Sequence, residues 1–330
     1  MAEGIKLGIV FAGQGAQYPG MGKDLYDSNE AAKEIFDKAG DKIKADCFEG
    51  DKETLRDTSV TQPAVYTVDL VAFYALKQVM GDDMPKIEAV AGFSLGEYAA
   101  LEAAGVIASF EDGLELVKVR SLLMKEAGTN ADGSPRGTMA AVLGNKDAVV
   151  SLVEKIKGND VLEAVNFNCA TQTVVAGDVE AIERLAAAAK EDKSLGLKVI
   201  PLSVGGAFHS EIMQPAADGL AEALSKCEFH APECNLYINI TGDEINKTLG
   251  DSFESSKIEE ILFKQIKSPV YWQTTVENMV RDGINTIIEM GPGKTLSGLV
   301  KKTAPDVTIL HIENEETLQE VVSKLRTGVC

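Results

Sequence analysis

A serine attacks an acyl group only where the chain exposes its hydroxyl at a sharp turn and sets a base beside it. The run Gly92-Phe93-Ser94-Leu95-Gly96 has the form of such a turn, the G-x-S-x-G nucleophile elbow. The pattern takes its meaning from its context. Ile87 to Gly92 (IEAVAG) is a short apolar run with the character of a buried strand, and Glu97 to Ala104 is a compact, alanine-rich helix. Glycine at both ends lets strand pass into helix without a Cβ clash. Ser94 then stands at the strand's C-terminal end, over a helix N-terminus whose free N–H groups favour developing negative charge. The bland alternative is a chance match in a glycine-rich chain, or a serine that only caps a helix. The strand before it and the helix after it favour catalysis.

A nucleophilic serine needs a base, and the chain has only three histidines. His311 lies within an apolar, strand-like run and reads as structural. His230 precedes Ala231-Pro232 in a polar loop and reads as solvated. His209 sits in Gly205-Gly206-Ala207-Phe208-His209-Ser210, a flexible glycine-rich turn after a strand, which can aim an imidazole. It is the expected general base and acid.

These residues must be held by a scaffold, and composition bounds what that scaffold is. The chain has 330 residues, 45% hydrophobic and 25% charged, as in ordinary globular proteins with room for one to three domains. No apolar run approaches the eighteen or so residues that span a bilayer. Met1 to Val10 leads straight into Gly13-Gln14-Gly15 and reads as a first strand, not a leader. The cysteines (Cys47, Cys169, Cys227, Cys234, Cys330) are odd in number and lack ligand spacing, so a reduced cytoplasmic chain without a metal site is expected. The net charge of −19 argues against nucleic acid and anionic membrane as partners. It leaves room for an acidic partner that docks on a local basic patch.

Along the chain, strand-like and helix-like segments alternate, the signature of an α/β protein with a mainly parallel sheet. Expected strands are Lys6 to Phe11, Ile87 to Gly92, Thr286 to Met290 and Thr308 to Ile312. Expected helices include Pro63 to Val79, Glu97 to Ala104 and Phe110 to Ala127. The polar loop Thr129 to Gly137 marks a boundary. Beyond it come a strand (Thr138 to Leu143), a helix (Lys146 to Ile156) and two strands (Leu162 to Asn166, Thr171 to Ala176). A helix (Val179 to Ala189) and a strand (Leu197 to Leu202) complete the unit. That order, β-α-β-β-α-β, is ferredoxin-like. The expected organisation is therefore a discontinuous large α/β domain, residues 1–130 and 204–330, with an inserted small subdomain, 131–203.

Five segments together carry a family likeness. They are Gly13-Gln14-Gly15-Ala16-Gln17, Gly92-Phe93-Ser94-Leu95-Gly96-Glu97-Tyr98, Arg120 in Val119-Arg120, Phe208-His209-Ser210 and Glu289-Met290-Gly291-Pro292-Gly293. In that order and spacing the chain resembles the malonyl-CoA:acyl carrier protein transacylase family, including acyltransferase domains of fatty-acid and polyketide synthases. The resemblance runs from residue 5 to about 302. It implies an α/β-hydrolase-like large domain and transfer of malonyl from malonyl-CoA to the phosphopantetheine thiol of holo acyl carrier protein, with no permanently bound cofactor. Residue by residue it implies Ser94 as nucleophile and His209 as base, with the backbone N–H groups of Gln14 and Leu95 as oxyanion hole. It further implies Arg120 as partner of the malonyl carboxylate, and Gln265 as a support that orients the histidine. A backbone carbonyl, not an aspartate, is implied to hold the imidazole. Phe93, where the family commonly has His, and Ala12 and Ala16, where Pro and Ser are frequent, depart from the pattern.

Chemistry supports the arginine role independently. A guanidinium pairs two N–H groups with both oxygens of a carboxylate, so it selects geometry as well as charge. In the absence of the likeness, Arg120 would read as one more charge on a helix with Lys118 and Lys125. Phe208, beside the base, is expected to exclude an α-methyl branch. Lys198, Lys294, Lys301 and Lys302 are the expected docking lysines for the acidic carrier. Two rival readings use the same residues: a hydrolase with the same elbow and histidine, and a degenerate, carrier-binding copy without catalysis. An arginine for the carboxylate disfavours the first, and intact Ser94, His209 and Arg120 disfavour the second.

Overall fold

Strand β1 (Leu7–Phe11) is buried along its whole length, which suits a central strand of a parallel sheet covered on both faces. Around it are β2 (Ile87–Gly92), β7 (Asn235–Tyr237), β8 (Thr286–Met290) and β9 (Thr308–Ile312). They lie in the order β7-β2-β1-β8-β9 and every pairing is parallel. The computed structural model describes residues 4–250 and 253–328. Cys330 and the first three residues lie outside the described residues. Because all five strands run the same way, the turns that follow β1, β2, β7 and β8 gather at one edge of the sheet. Open α/β sheets place their ligands at that edge.

The helix Thr58–Met80 packs against this sheet and is apolar almost all round, as a helix buried on every side must be. It begins five residues before the expected Pro63. Its first turn is set by Asp57, whose carboxylate caps the helix by accepting from the Ser59 N–H at 3.0 Å. Pro63 sits inside the helix instead of starting it.

The segment between the two halves of this sheet forms a second one from β3 (Thr138–Leu143), β4 (Leu162–Cys169), β5 (Gln172–Gly177) and β6 (Lys198–Pro201). The order is β4-β5-β3-β6 and all pairings are antiparallel, with helices Lys146–Ile156 and Val179–Glu191 on one face. The order β-α-β-β-α-β is the expected one. The strand period of two divides the labour. Ala140, Val142 and Val175 pack with the two helices, while Met139, Ala141 and Val174 face the other way and line a cleft against the large sheet. A short parallel bridge joins the units: Val270 N–H donates to Val165 C=O at 2.8 Å, and Phe167 N–H to Val270 C=O at 2.9 Å.

Strand β4 continues three residues past the expected Asn166 to Cys169. Asparagine disfavours strands, yet Asn166 pairs with Val174 of β5 while Asn168 falls at the second of two register shifts, and both line the cleft. Cys47, Cys169, Cys227 and Cys234 are free thiols. Among the described residues no helix is long and apolar enough to cross a membrane.

Candidate active site

The elbow is built as its glycines require. A Cβ on Gly92 would lie 1.9 Å from the backbone of Gly96, and one on Gly96 would lie 2.3 Å from the Phe11 carbonyl oxygen. Between them Ser94 adopts φ 53°, a left-handed conformation that costs a non-glycine residue about 1–2 kcal/mol. Asn239, in the turn after β7, holds that conformation. Its Oδ1 accepts from the Ser94 N–H at 2.6 Å and its Nδ2 donates to the Gly92 carbonyl at 2.7 Å.

His209 is the only other non-glycine described residue with positive φ, at 63°. It is 3% exposed, and residues 206–210 of the glycine-rich turn are all buried. Nε2 lies 2.7 Å from Ser94 Oγ, and Nδ1 lies 2.9 Å from the backbone carbonyl oxygen of Gln265. A carbonyl only accepts, so Nδ1 carries the hydrogen and Nε2 is left to accept the serine proton. Burial, and then the positive charge of Arg120, pull the imidazole down to about 4. It is therefore neutral near pH 7 and able to act as a base.

Arg120 is 1% exposed. Nη1 donates to Gln62 Oε1 at 2.5 Å, and Nη2 donates to Gln265 Oε1 at 3.2 Å and to Ser94 Oγ at 3.1 Å. The guanidinium carbon lies 5.4 Å from the centre of the Tyr98 ring. Among the described residues the ion pairs do not include Arg120, so no carboxylate lies within 4.0 Å of it. Gln265 ties the site together from the end of the helix Ser255–Gln265. Its carbonyl holds the histidine, its Oε1 holds the arginine, and its Nε2 donates to the Ser94 carbonyl at 2.6 Å and to Glu97 Oε2 at 3.0 Å. Gln62 Nε2 donates to Thr58 Oγ1 at 3.0 Å, and Thr58 donates to Gln14 Oε1 at 2.7 Å. The loop after β1 is thereby chained to the arginine.

These groups share a cleft of about 280 Å³. Gln14, Phe93, Ser94, Arg120 and His209 line one side, and Met139, Asn166, Asn168 and Val174 of the small sheet line the other. Phe208 is buried on the cleft wall next to His209. Phe93 stands edge-on to Trp272 with centroids 5.5 Å apart. The backbone N–H groups of Gln14 and Leu95 find no acceptor among the described residues. They are free for a ligand oxygen. Lys198 lies on the exposed edge strand β6, while Lys294, Lys301 and Lys302 lie on or beside the helix Thr295–Thr303. That helix lends Thr295, Leu296 and Leu299 to the cleft. His230 is exposed and His311 lies in β9 with Nε2 3.6 Å from Glu313, both apart from the cleft. No group of His, Cys, Asp or Glu among the described residues is placed to hold a metal ion.

Sequence reasoning misses Asn239, Gln62 and Thr58 entirely, and gives Glu97 no role although it adjoins the elbow. The only local hint is Glu97 itself, one of two acids in an alanine-rich, largely apolar helix. Asn239 is 145 residues from Ser94 and leaves no signal in the chain.

The arrangement can move an acyl group through an oxygen ester on Ser94, with a neutral imidazole as proton carrier and a cation for an acidic substituent. Residues 9–327 match the acyl transferase domain family. The malonyl CoA-acyl carrier protein transacylase of Bacillus subtilis is 36% identical over 97% of this chain and 98% of its own. The crystal structure of the malonyl CoA-acyl carrier protein transacylase from Clostridium perfringens matches with TM-score 0.87 at 37% identity, covering 98% of each chain. A type II polyketide synthase malonyl-transacylase in complex with its acyl-carrier protein matches with TM-score 0.86 at 30% identity, over 97% of this chain and 99% of that one. The chain belongs to the malonyl-CoA:acyl carrier protein transacylase family of acyl transferases.

Proposed function

We propose that the protein transfers malonyl from malonyl-CoA to the phosphopantetheine thiol of holo acyl carrier protein, supplying extender units for fatty-acid synthesis. His209 Nε2 takes the proton of Ser94 as Oγ attacks the thioester carbonyl. The oxyanion lies against the N–H groups of Gln14 and Leu95. As the tetrahedral species collapses, the C–S bond breaks and the CoA sulfur leaves with the proton held by His209. The carrier thiol then returns its proton to His209 and takes the malonyl group by the same steps reversed, a ping-pong cycle. Arg120 binds the malonyl carboxylate throughout.

The observation that carries this reading is Arg120, a buried cation with no carboxylate of the described residues within 4.0 Å and a nitrogen 3.1 Å from the nucleophile. A malonyl group bears its carboxylate one methylene from the acyl carbon, so the cation that receives it must adjoin the serine. A hydrolase on the same dyad has no need for that charge. On this reading residues 1–130 and 204–330 carry the chemistry, and 131–203 closes the pantetheine side of the cleft. Lys198, Lys294, Lys301 and Lys302 receive the acidic carrier, and the enzyme works in the cytosol. No resident cofactor enters the scheme.

The test is intact mass. Malonyl-CoA alone adds one malonyl group to the protein, holo carrier protein removes it, and Ser94→Ala carries none. An alanine variant acylated to the wild-type extent would refute the assignment.

A further inference from the structure

Glu97 is completely buried in the helix Gly96–Ala103, one turn from the nucleophile, and the scheme above gives it no task. Its surroundings are those of a carboxylate, not of a filler. Oε1 accepts from the Asn239 N–H at 3.2 Å, and Oε2 accepts from Gln265 Nε2 at 3.0 Å. The same Gln265 amide receives Arg120 Nη2 on its oxygen at 3.2 Å. The amide dipole therefore lies between a cation and an acid, its positive end on Glu97 and its negative end on Arg120. No direct ion pair joins the two.

We propose that Glu97 is the remote counter-ion of Arg120, relayed through the side-chain amide of Gln265, and that seating a malonyl carboxylate on Arg120 makes Glu97 take up a proton from solvent. The proposal rests on the reading of Arg120 as the carboxylate clamp. Glu97 touches neither substrate nor reacting atoms, so it is a positioning residue.

The groups facing Glu97 leave one source for its charge state. Arg120 approaches from the helix Phe110–Ala127. Tyr98 adjoins Glu97 on its own helix, and burial, its largest cause, pushes that phenol up to about 12, so it is neutral. His209, on the turn after β6, is neutral above about pH 4. Asn239 and Gln265 do not ionise. Burial raises Glu97 to about 7, against the Asn239 N–H, the Gln265 amide and the charge of Arg120. When a ligand carboxylate neutralises Arg120, the last of these is cancelled and the acid holds its proton more tightly. At high pH the site would otherwise confine two anions around one cation. Malonyl binding then weakens as pH rises above 7, by up to about tenfold per unit. Acetyl binding, with no carboxylate, does not follow.

Titration calorimetry on the full-length Ser94→Ala protein, which binds thioester without transferring it, tests this. Malonyl-CoA and acetyl-CoA are titrated at pH 7 in phosphate and in Tris, whose ionisation heats differ. The expected result is an uptake of about half a proton for malonyl-CoA in excess of acetyl-CoA, since a group near pH 7 is half protonated there. Adding Glu97→Gln abolishes the excess, and Glu97→Asp, which keeps a carboxylate, retains it. Malonyl-CoA and acetyl-CoA heats that change equally between the two buffers, leaving no excess, overturn the proposal while leaving the transferase reading intact. So does an excess that survives in a folded Glu97→Gln protein. Absence of malonyl-CoA binding altogether overturns the transferase reading, and this proposal with it. The two-buffer comparison needs Glu97 unaltered, so it decides even if a variant fails to fold.

Discussion

Replacing Arg120 by alanine separates the charge of the site from its scaffold. In the folded protein the side chain gives three hydrogen bonds, to Gln62, Gln265 and Ser94. Removing it leaves two buried amide oxygens short of a donor, at about 1–3 kcal/mol each. It also removes a buried cation that makes no direct ion pair, Glu97 reaching it only through the Gln265 amide, and a buried charge without a contacting partner costs on the order of 3–5 kcal/mol. The two effects oppose each other, so the melting temperature should move little. The reaction is different. With malonyl-CoA the variant must bury the substrate carboxylate unpaired, again at about 3–5 kcal/mol, which is on the order of 10²- to 10³-fold in kcat/KM or more. With acetyl-CoA no carboxylate is present, and the loss is confined to the contact with Ser94. Quench-flow acylation followed by intact mass gives both rates on one protein sample. A malonyl-to-acetyl ratio within about threefold of wild type, far below that estimate, would refute the argument that Arg120 recognises the carboxylate.

Four further outcomes are expected. The pH profile of serine acylation should keep its acid limb near pH 4, because that is where buried His209 takes a proton; a limb near 6.5 would place the imidazole in water. The depressed value also means that the unfolded chain binds this proton first, so the contribution of His209 to stability is complete above 6.5 and lost as pH falls through about 4. Asn239→Ala removes two hydrogen bonds from the elbow and should lower stability by about 2–3 kcal/mol, with kcat falling more than KM rises; denaturant titration and steady-state kinetics check both. Phe208→Ser should shift kcat/KM toward methylmalonyl-CoA by about tenfold, the worth of one methyl in an apolar pocket, and an unmoved ratio would make Phe208 purely structural. Reversing charge at Lys198 and Lys302 together should raise the KM for carrier protein and flatten its salt dependence, leaving hydrolysis of malonyl-CoA unaffected; an unmoved KM refutes the patch.

What the sequence discloses follows from how local the cause is. Strands β2, β3, β8 and β9 begin and end where the apolar runs do, since buried strands owe their limits to their own residues. The helix Thr58–Met80 starts early because the signal at Asp57, one cap hydrogen bond, is weaker in the sequence than a proline. Strand β4 outruns its apolar stretch because Asn166 and Asn168 line the cleft, where polarity serves a ligand and not the core. Ser94 is legible because its elbow is five contiguous residues, and His209 because so few histidines compete with it. Arg120 is legible only through likeness to a family, as nothing near it in sequence distinguishes it from Lys118.

The remainder of the site is a closed network of side chains remote in sequence. Arg120 meets Gln62 across 58 positions, and Gln265 reaches Glu97 across 168 and Ser94 across 171. No local pattern can encode such pairs, because each member is an ordinary polar residue until the sheet edge assembles it. What makes the network necessary is nevertheless local. Ser94 and His209 both occupy left-handed backbone without being glycine, and such conformations persist only when surrounding structure over-determines them. Asn239 fixes the first by holding its N–H, and Gln265 holds both, through the carbonyl of one and the imidazole of the other. Gln265 also touches the arginine and Glu97. A single glutamine thus connects, through its backbone carbonyl and its side-chain amide, the tautomer of the base, the strain at the nucleophile and the charge that selects the substrate, so none of the three is set independently of the others.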